Sequence, residues 1–208
     1  MTDPPKTSRR QIIEEYAARR IARIQRAYLD STQSEGAAWL AELRRSGAEP
    51  GSSPATWVLE FEGFPETLMG RRDEPSHAER AVHLALTLYA VHQQSQRDQM
   101  HCRGREFGMG RAVAKLLARS DSTDLDKPPT RFAALATADT FGEISHYARQ
   151  LITQLRSASI PLDYGTLTGD LYQLQNPKTA DSVRRVWGLD FAKRQSLPTN
   201  QPTVEKGQ

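Results

Sequence analysis

Read as a pattern of apolar and polar positions, the chain is a succession of amphipathic helices. Ile13, Ala17, Ile21, Ile24 and Tyr28 recur at spacings of three and four, which places them on one side of a long helix. Ser8 and Gln11 form a capping box at its start. Arg19, Arg23 and Arg26 fall on the opposite face. That face is either a solvated surface, with Glu15 and Arg19 as an i,i+4 pair, or a second surface that follows phosphates. Ser34 opens a shorter helix, EGAAWLAELRRS, which Gly47 can end as a left-handed C-cap. It closes on Arg44 and Arg45, a placement that the helix dipole alone would favour.

The loop AEPGSSPA follows. In TWVLEFEGF a strand competes, because Trp57, Leu59 and Phe61 alternate. Ser53–Pro54 as N-cap and N1, with Trp57, Phe61 and Phe64 at helical spacing, decides for a short helix, and no partner strand stands elsewhere. After a second loop over 65–75, Ser76 and Glu79 form another capping box. The helix they open, HAERAVHLALTLYAVHQQ, is apolar around most of its circumference through Val82, Leu84, Leu86, Leu88, Tyr89 and Val91, and belongs at the centre of a bundle.

Beyond a glycine-bearing loop, a helix begins near Gly110. An acidic loop, DSTDLDKPP, separates it from RFAALATAD, which starts at Thr130. Thr140 and Glu143 supply a third capping box, for a helix with Ile144, Ala148, Leu151 and Leu155 on one stripe. Asp163 caps a further helix, and Asn176–Pro177 divides that helix from the last. The expected fold is all-α, a compact bundle of eight to nine helices, as one body or two packed lobes. The expected organisation is an N-terminal helical lobe over 1–96, a basic glycine-bearing loop over 97–110, a C-terminal bundle over 111–194 and a polar tail over 195–208 that stays disordered.

Composition narrows the function. A lone cysteine, Cys102, excludes a disulfide framework or a multi-cysteine metal site and fits a reducing, cytoplasmic setting. No segment resembles a secretory signal or a membrane span. The net charge of +3 is modest, but its distribution is uneven. Between Arg97 and Arg119 stand six basic residues (Arg97, Arg103, Arg105, Arg111, Lys115, Arg119) against Asp98 and Glu106. Arg111, Lys115 and Arg119 recur every fourth residue, about 6 Å apart along one helix face, with Val113, Leu116 and Leu117 opposite. No acidic residue shares that stripe, and the spacing suits successive phosphates. Gly104, Gly108 and Gly110 let backbone approach a ligand, yet their spacing matches no nucleotide-binding loop. The adjoining loop is expected to be mobile until nucleic acid orders it.

Enzyme chemistry finds little support. His77, His83, His92, His101 and His146 form no metal or catalytic pattern, and His83 and His92 sit in an apolar helix. Cys102 lacks a base and an orienting acid at any recognisable spacing. Capping and ion pairing account for Asp163, Asp170 and Asp190. Asp190 shares the apolar stripe of Val183, Val186, Trp187 and Phe191, so it is expected to be buried with a cationic partner, either Arg111 or Arg131. Whichever arginine pairs with it, or with Asp170, is structural. No cofactor or metal is called for.

The runs GMGRAVAKLLARS, TRFAALATAD, HYARQLITQLRSASIPLDYGTLTGDLYQL and VRRVWGLDFAKR, with AAWLAELRRSG before them, resemble in order and spacing the small subunit, the CasB family, of the type I-E CRISPR Cascade surveillance complex. The likeness spans about residues 37 to 194 and is loose over 48–75. It implies an all-α, non-catalytic subunit of antiviral defence. Its partners would be other Cascade subunits, CRISPR RNA, the target and displaced DNA strands of an R-loop and a second copy of itself, with no membrane. The family's basic positions fall on Arg44 or Arg45, Arg111, Arg131 and Arg149, while Arg103 and Arg105 lie in a variable loop where only the charge carries over. With Lys115 and Arg119 these make the expected nucleic-acid surface. The alternative is an assembly scaffold whose basic face meets protein neighbours. A small helical hydrolase is a third reading.

Overall fold

The computed structural model of this chain describes residues 7–30, 34–71, 73–119 and 129–193, so the acidic segment 120–128 and the polar tail lie outside the described residues. Helix starts follow the capping signals. All three expected boxes form: Ser8 with Gln11 opens α1 (Arg9–Leu29), Ser76 with Glu79 opens α4 (His77–Gln93), and Thr140 with Glu143 opens α7 (Phe141–Ser157). Ser53 and Thr56 make a fourth at α3 (Pro54–Phe61), with Pro54 in the first turn as expected. Asp163 and Asn176 cap α8 (Tyr164–Leu174) and α9 (Pro177–Ala192) through their side chains. The remaining helices are α2 (Glu35–Arg45), α5 (Met109–Ala118) and α6 (Thr130–Thr137).

Two end signals behave differently. Ser34 makes no side-chain cap on α2. Gly47 is not a left-handed terminator either, since the helix ends at Ser46 and the positive-φ glycines are Gly51, Gly63 and Gly104. Among the described residues the only β-type pairings are two isolated bridges, Arg71 with Glu74 and His101 with Leu162. The fold is all-α, and no described helix is long and apolar enough to cross a membrane.

The core forms around α4, whose residues Leu86, Leu88, Tyr89 and Ala90 are fully enclosed. Helices α1, α2, α7 and α8 all pack on it. Burying each such leucine contributes about 1.5–3 kcal/mol, so a helix apolar on every side is stable only where neighbours enclose it. Two further contacts bring backbones close together. α8 lies against α1, where a Cβ on Gly165 would stand 3.0 Å from the Glu14 carbonyl. α5 crosses α9 so closely that a Cβ on Gly110 would stand 2.2 Å from the Trp187 carbonyl and 2.9 Å from the Phe191 nitrogen. That glycine is required by helix contact, not by a turn.

Asp170 of α8 is buried. It accepts hydrogen bonds from the Arg10 guanidinium at 2.7 Å and from Trp187 Nε1 at 2.7 Å, so it ties the first helix to the last. Burial pushes its pKa up to about 6, against the opposing pull of Arg10. At Arg10, which is less enclosed, burial also opposes the charge but is outweighed by Asp170 and Glu14, and its pKa rises.

Gly110→Ala should destabilise the fold by about 1–3 kcal/mol through overpacking against α9. Gly188→Ala, whose Cβ would meet nothing within 4 Å, should be neutral or slightly stabilising because of alanine's helix propensity. Urea midpoints at matched m-values test the pair, and equal effects would refute the close-contact explanation. Removing Arg10 should have a pH signature. A carboxyl whose folded pKa exceeds its unfolded one binds more protons when folded, so its contribution to stability falls as pH rises from about 4 to 6. Arg10→Met therefore costs about 3 kcal/mol at pH 8, where Asp170 would be left charged and buried, and distinctly less at pH 5. A loss independent of pH would show that the arginine acts through packing alone.

Candidate nucleic-acid interface

The segment from Arg97 to Gly110 is held at many points, contrary to the expectation of a mobile loop. Met100 and His101 are buried. The Gln25 side chain, itself buried, accepts from the His101 N–H at 2.8 Å and donates to the His101 carbonyl at 3.1 Å. Gln93 accepts from the Met100 N–H at 3.0 Å. Backbone bonds run from Cys102 N to the Leu162 carbonyl and from Leu162 N to the Met100 carbonyl. The Asp163 carboxylate accepts from the Gly104 N–H at 3.0 Å, at the point where Gly104 adopts a φ of 132°. A short 3-10 turn, Arg105–Phe107, completes the passage into α5. A polar segment with buried ends needs a partner for every enclosed amide, and α1, α4 and the turn before α8 supply them.

Most cations of this stretch are occupied within the chain. Arg103 grips Glu15 with both terminal nitrogens, at 3.1 and 2.6 Å. Glu15 therefore pairs with Arg103 rather than with Arg19, and that hydrogen bond leads the lowering of its pKa. Arg105 and Arg111 stand 3.6 and 3.8 Å from the buried carboxylate of Asp190. Of the two partners expected for Asp190, the structure supplies Arg111, and it adds Arg105. Arg131 instead donates to Gln150 at 3.1 Å. Lys115 donates to the Glu106 carbonyl at 3.1 Å and lies 5.1 Å from the centre of the Phe107 ring. Arg119 is the C-cap residue of α5 and donates to the Ala158 carbonyl. The stripe exists, but each member is already engaged.

Magnitudes separate these pairs. Arg103 and Glu15 are both about half exposed, and such pairs contribute about 0.2–1 kcal/mol, so Arg103 can change partner at low cost. Asp190 is only 8% exposed, and taking its cation away leaves a buried charge.

A different set of arginines has no such obligations. Arg44, at the end of α2, and Arg149, on α7, make no side-chain hydrogen bond or ion pair to a described residue, and both line a cavity of about 360 Å³. Leu43, Leu84, Leu88 and Phe141 give it an apolar floor, and Ser46, Ser145, Thr87 and His83 add polar groups. None of its lining residues is acidic. Burial and the nearby Arg156 and Arg45 depress the Arg44 pKa, against an opposing effect of Tyr28. Arg156 stands seven residues beyond Arg149 on α7; its one side-chain bond, to Gln94, is long at 3.4 Å. Arg45 pairs with Glu42 at 3.0 Å on the surface. On α1, Arg23 is held by Glu62 and by the Trp39 ring, while Arg19 and Arg26 are exposed.

The residues weighed for chemistry have structural occupations. Burial lowers the His92 pKa to about 3, and its Nδ1 lies 3.0 Å from the Tyr164 hydroxyl. Burial likewise lowers that of His101, whose Nδ1 accepts from the Tyr164 N–H at 3.2 Å. Burial raises the Cys102 pKa, the reverse of what activates a thiol. Among the described residues no group of three or more His, Cys, Asp or Glu side chains could hold a metal ion.

Comparison with known proteins agrees with the fold. Residues 39–191 match the family described as CRISPR-associated protein Cse2. The crystal structure of CasB from Thermobifida fusca superposes with a TM-score of 0.70 at 34% identity, covering 86% of this chain and 97% of that one. No curated protein matches the sequence.

The pairing pattern predicts unequal costs for two similar substitutions. Arg111→Met should lower stability by about 1–3 kcal/mol, reduced from the full cost of an orphaned buried charge because Arg105 remains beside Asp190. Arg103→Met should change it by less than about 1 kcal/mol. Thermal and urea denaturation of both variants decides, and equal losses would refute the distinction.

Proposed function

This chain belongs to the CRISPR-associated protein Cse2 family, the CasB small-subunit family of the type I-E Cascade, and we propose that it is the complex's non-catalytic nucleic-acid-binding subunit. It works in the cytoplasm beside other Cascade subunits, a second copy of itself and CRISPR RNA. It holds the target and displaced DNA strands by sequence-independent contacts to their backbones and so stabilises the R-loop. In RNA-guided recognition base pairing carries the specificity, and the exchange of duplexes is nearly balanced. A subunit that adds a few phosphate contacts to the open form is enough to tip it.

The observation that carries this reading is the pair of unspent arginines, Arg44 and Arg149, on one concave and acid-free surface. Arg45, Arg131 and the exchangeable Arg103 are further backbone contacts in this reading. Lys115 and Arg119 can join it by giving up a backbone carbonyl each, whereas Arg105 and Arg111 also answer to Asp190. A second reading, assembly through protein contacts, draws support from four exposed apolar residues: Trp57, Val58, Val186 and Leu189.

The test is binding of the full chain to single-stranded DNA and RNA across a salt series. Arg44→Gln with Arg149→Gln should reduce the slope of log affinity against log salt by about 1.4 on single strands and weaken R-loop formation by the assembled complex. An unchanged slope would remove these residues from the interface. Full assembly without measurable affinity of the free chain at low salt would favour the scaffold.

A further inference from the structure

The outer face of α1 gathers a second group of arginines, which the Arg44–Arg149 cavity does not use. Arg19, Arg23 and Arg26 are exposed along it, and the helical rise sets them about 6 and 4.5 Å apart along the axis. As a purely solvated surface this face would carry a Glu15–Arg19 pair, and that pair does not form. Arg103 takes both oxygens of Glu15, and Arg19 acts on Glu15 only through its field. Neither Arg19 nor Arg26 makes a side-chain hydrogen bond or ion pair to a described residue.

Arg23 is held, but by contacts it can give up. Its guanidinium lies over the Trp39 ring, 5.5 Å from the centre, and donates to Glu62 Oε2 at 3.2 Å. Arg20 donates to the same oxygen at 3.2 Å and also to the Glu62 carbonyl, and its side chain is only 9% exposed. Arg23, 57% exposed, can therefore leave without stranding Glu62. Its departure uncovers Trp39, a half-buried ring backed by the core. Trp39 and Arg44 stand five residues apart on α2, about 140° around its axis, and Leu40 and Leu43 are buried in the arc between them. The α1 face and the Arg44–Arg149 cavity thus lie on opposite flanks of α2.

We propose that the outer face of α1, together with Trp39 of α2, is a second and separate site for single-stranded nucleic acid, in which Arg19, Arg23 and Arg26 contact successive phosphates and one base stacks on Trp39. This rests on the nucleic-acid reading above and adds to it a second tract, on residues that reading does not use. Cations that track a backbone beside an aromatic ring that takes a base are the means by which single strands are held without sequence preference. A duplex keeps its bases stacked on one another and gains only the charge contacts here. The exchangeable cover on Trp39 favours a strand over an acidic protein surface, which the arginines alone would suit equally well.

The experiment measures binding of the full chain to a short oligothymidylate and to its abasic counterpart across a salt series. The natural chain should bind the intact strand at least about five-fold more tightly than the abasic one, a comparison that needs no variant. In Trp39→Leu the difference should vanish. Arg19→Gln with Arg23→Gln and Arg26→Gln, all at exposed positions, should reduce the salt slope by about 2 on single strands, and that loss should add to the loss in Arg44→Gln with Arg149→Gln. Oligouridylate should show the same Trp39 dependence, since neither contact involves the sugar. Equal affinity for intact and abasic strands, a difference that persists in Trp39→Leu, or an unchanged slope in the triple variant would each overturn this site; a slope that still falls in Arg44→Gln with Arg149→Gln would leave the proposed function standing. A triple variant that binds the strand normally but no longer enters the complex would assign the face to an acidic protein neighbour instead. Absence of binding to any strand at low salt would overturn both.

Discussion

Asp163, Asp170 and Asp190 are all buried, and all belong to the last two helices or the turn before them. A carboxylate removed from water costs several kcal/mol unless it is paired and hydrogen-bonded, so each must recruit a partner from elsewhere in the chain. Asp163 draws in the Gly104 amide and pins the loop before α5. Asp170 draws in Arg10 and fastens α1 across α8 to Trp187. Asp190 draws in Arg105 and Arg111 where α5 crosses α9. The apolar core provides most of the folding free energy. These three demands decide how the N-terminal helix, the basic loop and α5 are arranged upon the C-terminal pair.

The same demands redistribute the positive charge. Along the chain, basic residues concentrate between Arg97 and Arg119. In space, most of that charge is committed: to Glu15, to Asp190, to the Glu106 carbonyl with the Phe107 ring, and to the Ala158 carbonyl. Arg44 and Arg149, which make no side-chain bond to a described residue, stand more than a hundred residues apart in the sequence. Sequence density of charge is thus a poor guide to where a ligand finds unspent donors when a fold buries several carboxylates.

Much of the architecture was legible because it depends on local signals. Capping boxes at Ser8, Ser76 and Thr140, the side-chain caps at Asp163 and Asn176, and the all-round apolar pattern of α4 each involve residues within a few positions of one another. Burial of Asp190 was legible too, since it shares a helical stripe with Trp187 and Phe191. Gly47 misled because a glycine after a helix usually signals a left-handed end, whereas here its carbonyl is taken by His83, 36 residues away. The loop was misread for a related reason. Glycines and charges suggest mobility, but the groups that hold it, Gln25, Gln93 and Leu162, are distant in sequence. Gly110 looked like ligand access and proved to be the contact with the Trp187 carbonyl. Arg44 and Arg149 were legible as individual cations through family likeness, but their convergence on one cavity was not.

For a polyanion, a paired cation and an unpaired one are unequal partners even at equal charge. Binding through Arg111 would require Asp190 to share or lose its counterion, so the gain is the phosphate contact less the cost of exposing a buried carboxylate. Binding through Arg44 or Arg149 loses no intramolecular bond, and the gain is the whole contact less the ordering of one side chain. Since strand exchange in RNA-guided recognition is close to balanced, a difference of one or two kcal/mol per contact decides whether a residue contributes. A proposed surface built on unpaired arginines can therefore be small. It also has reason to exclude carboxylates from its walls, as this cavity does.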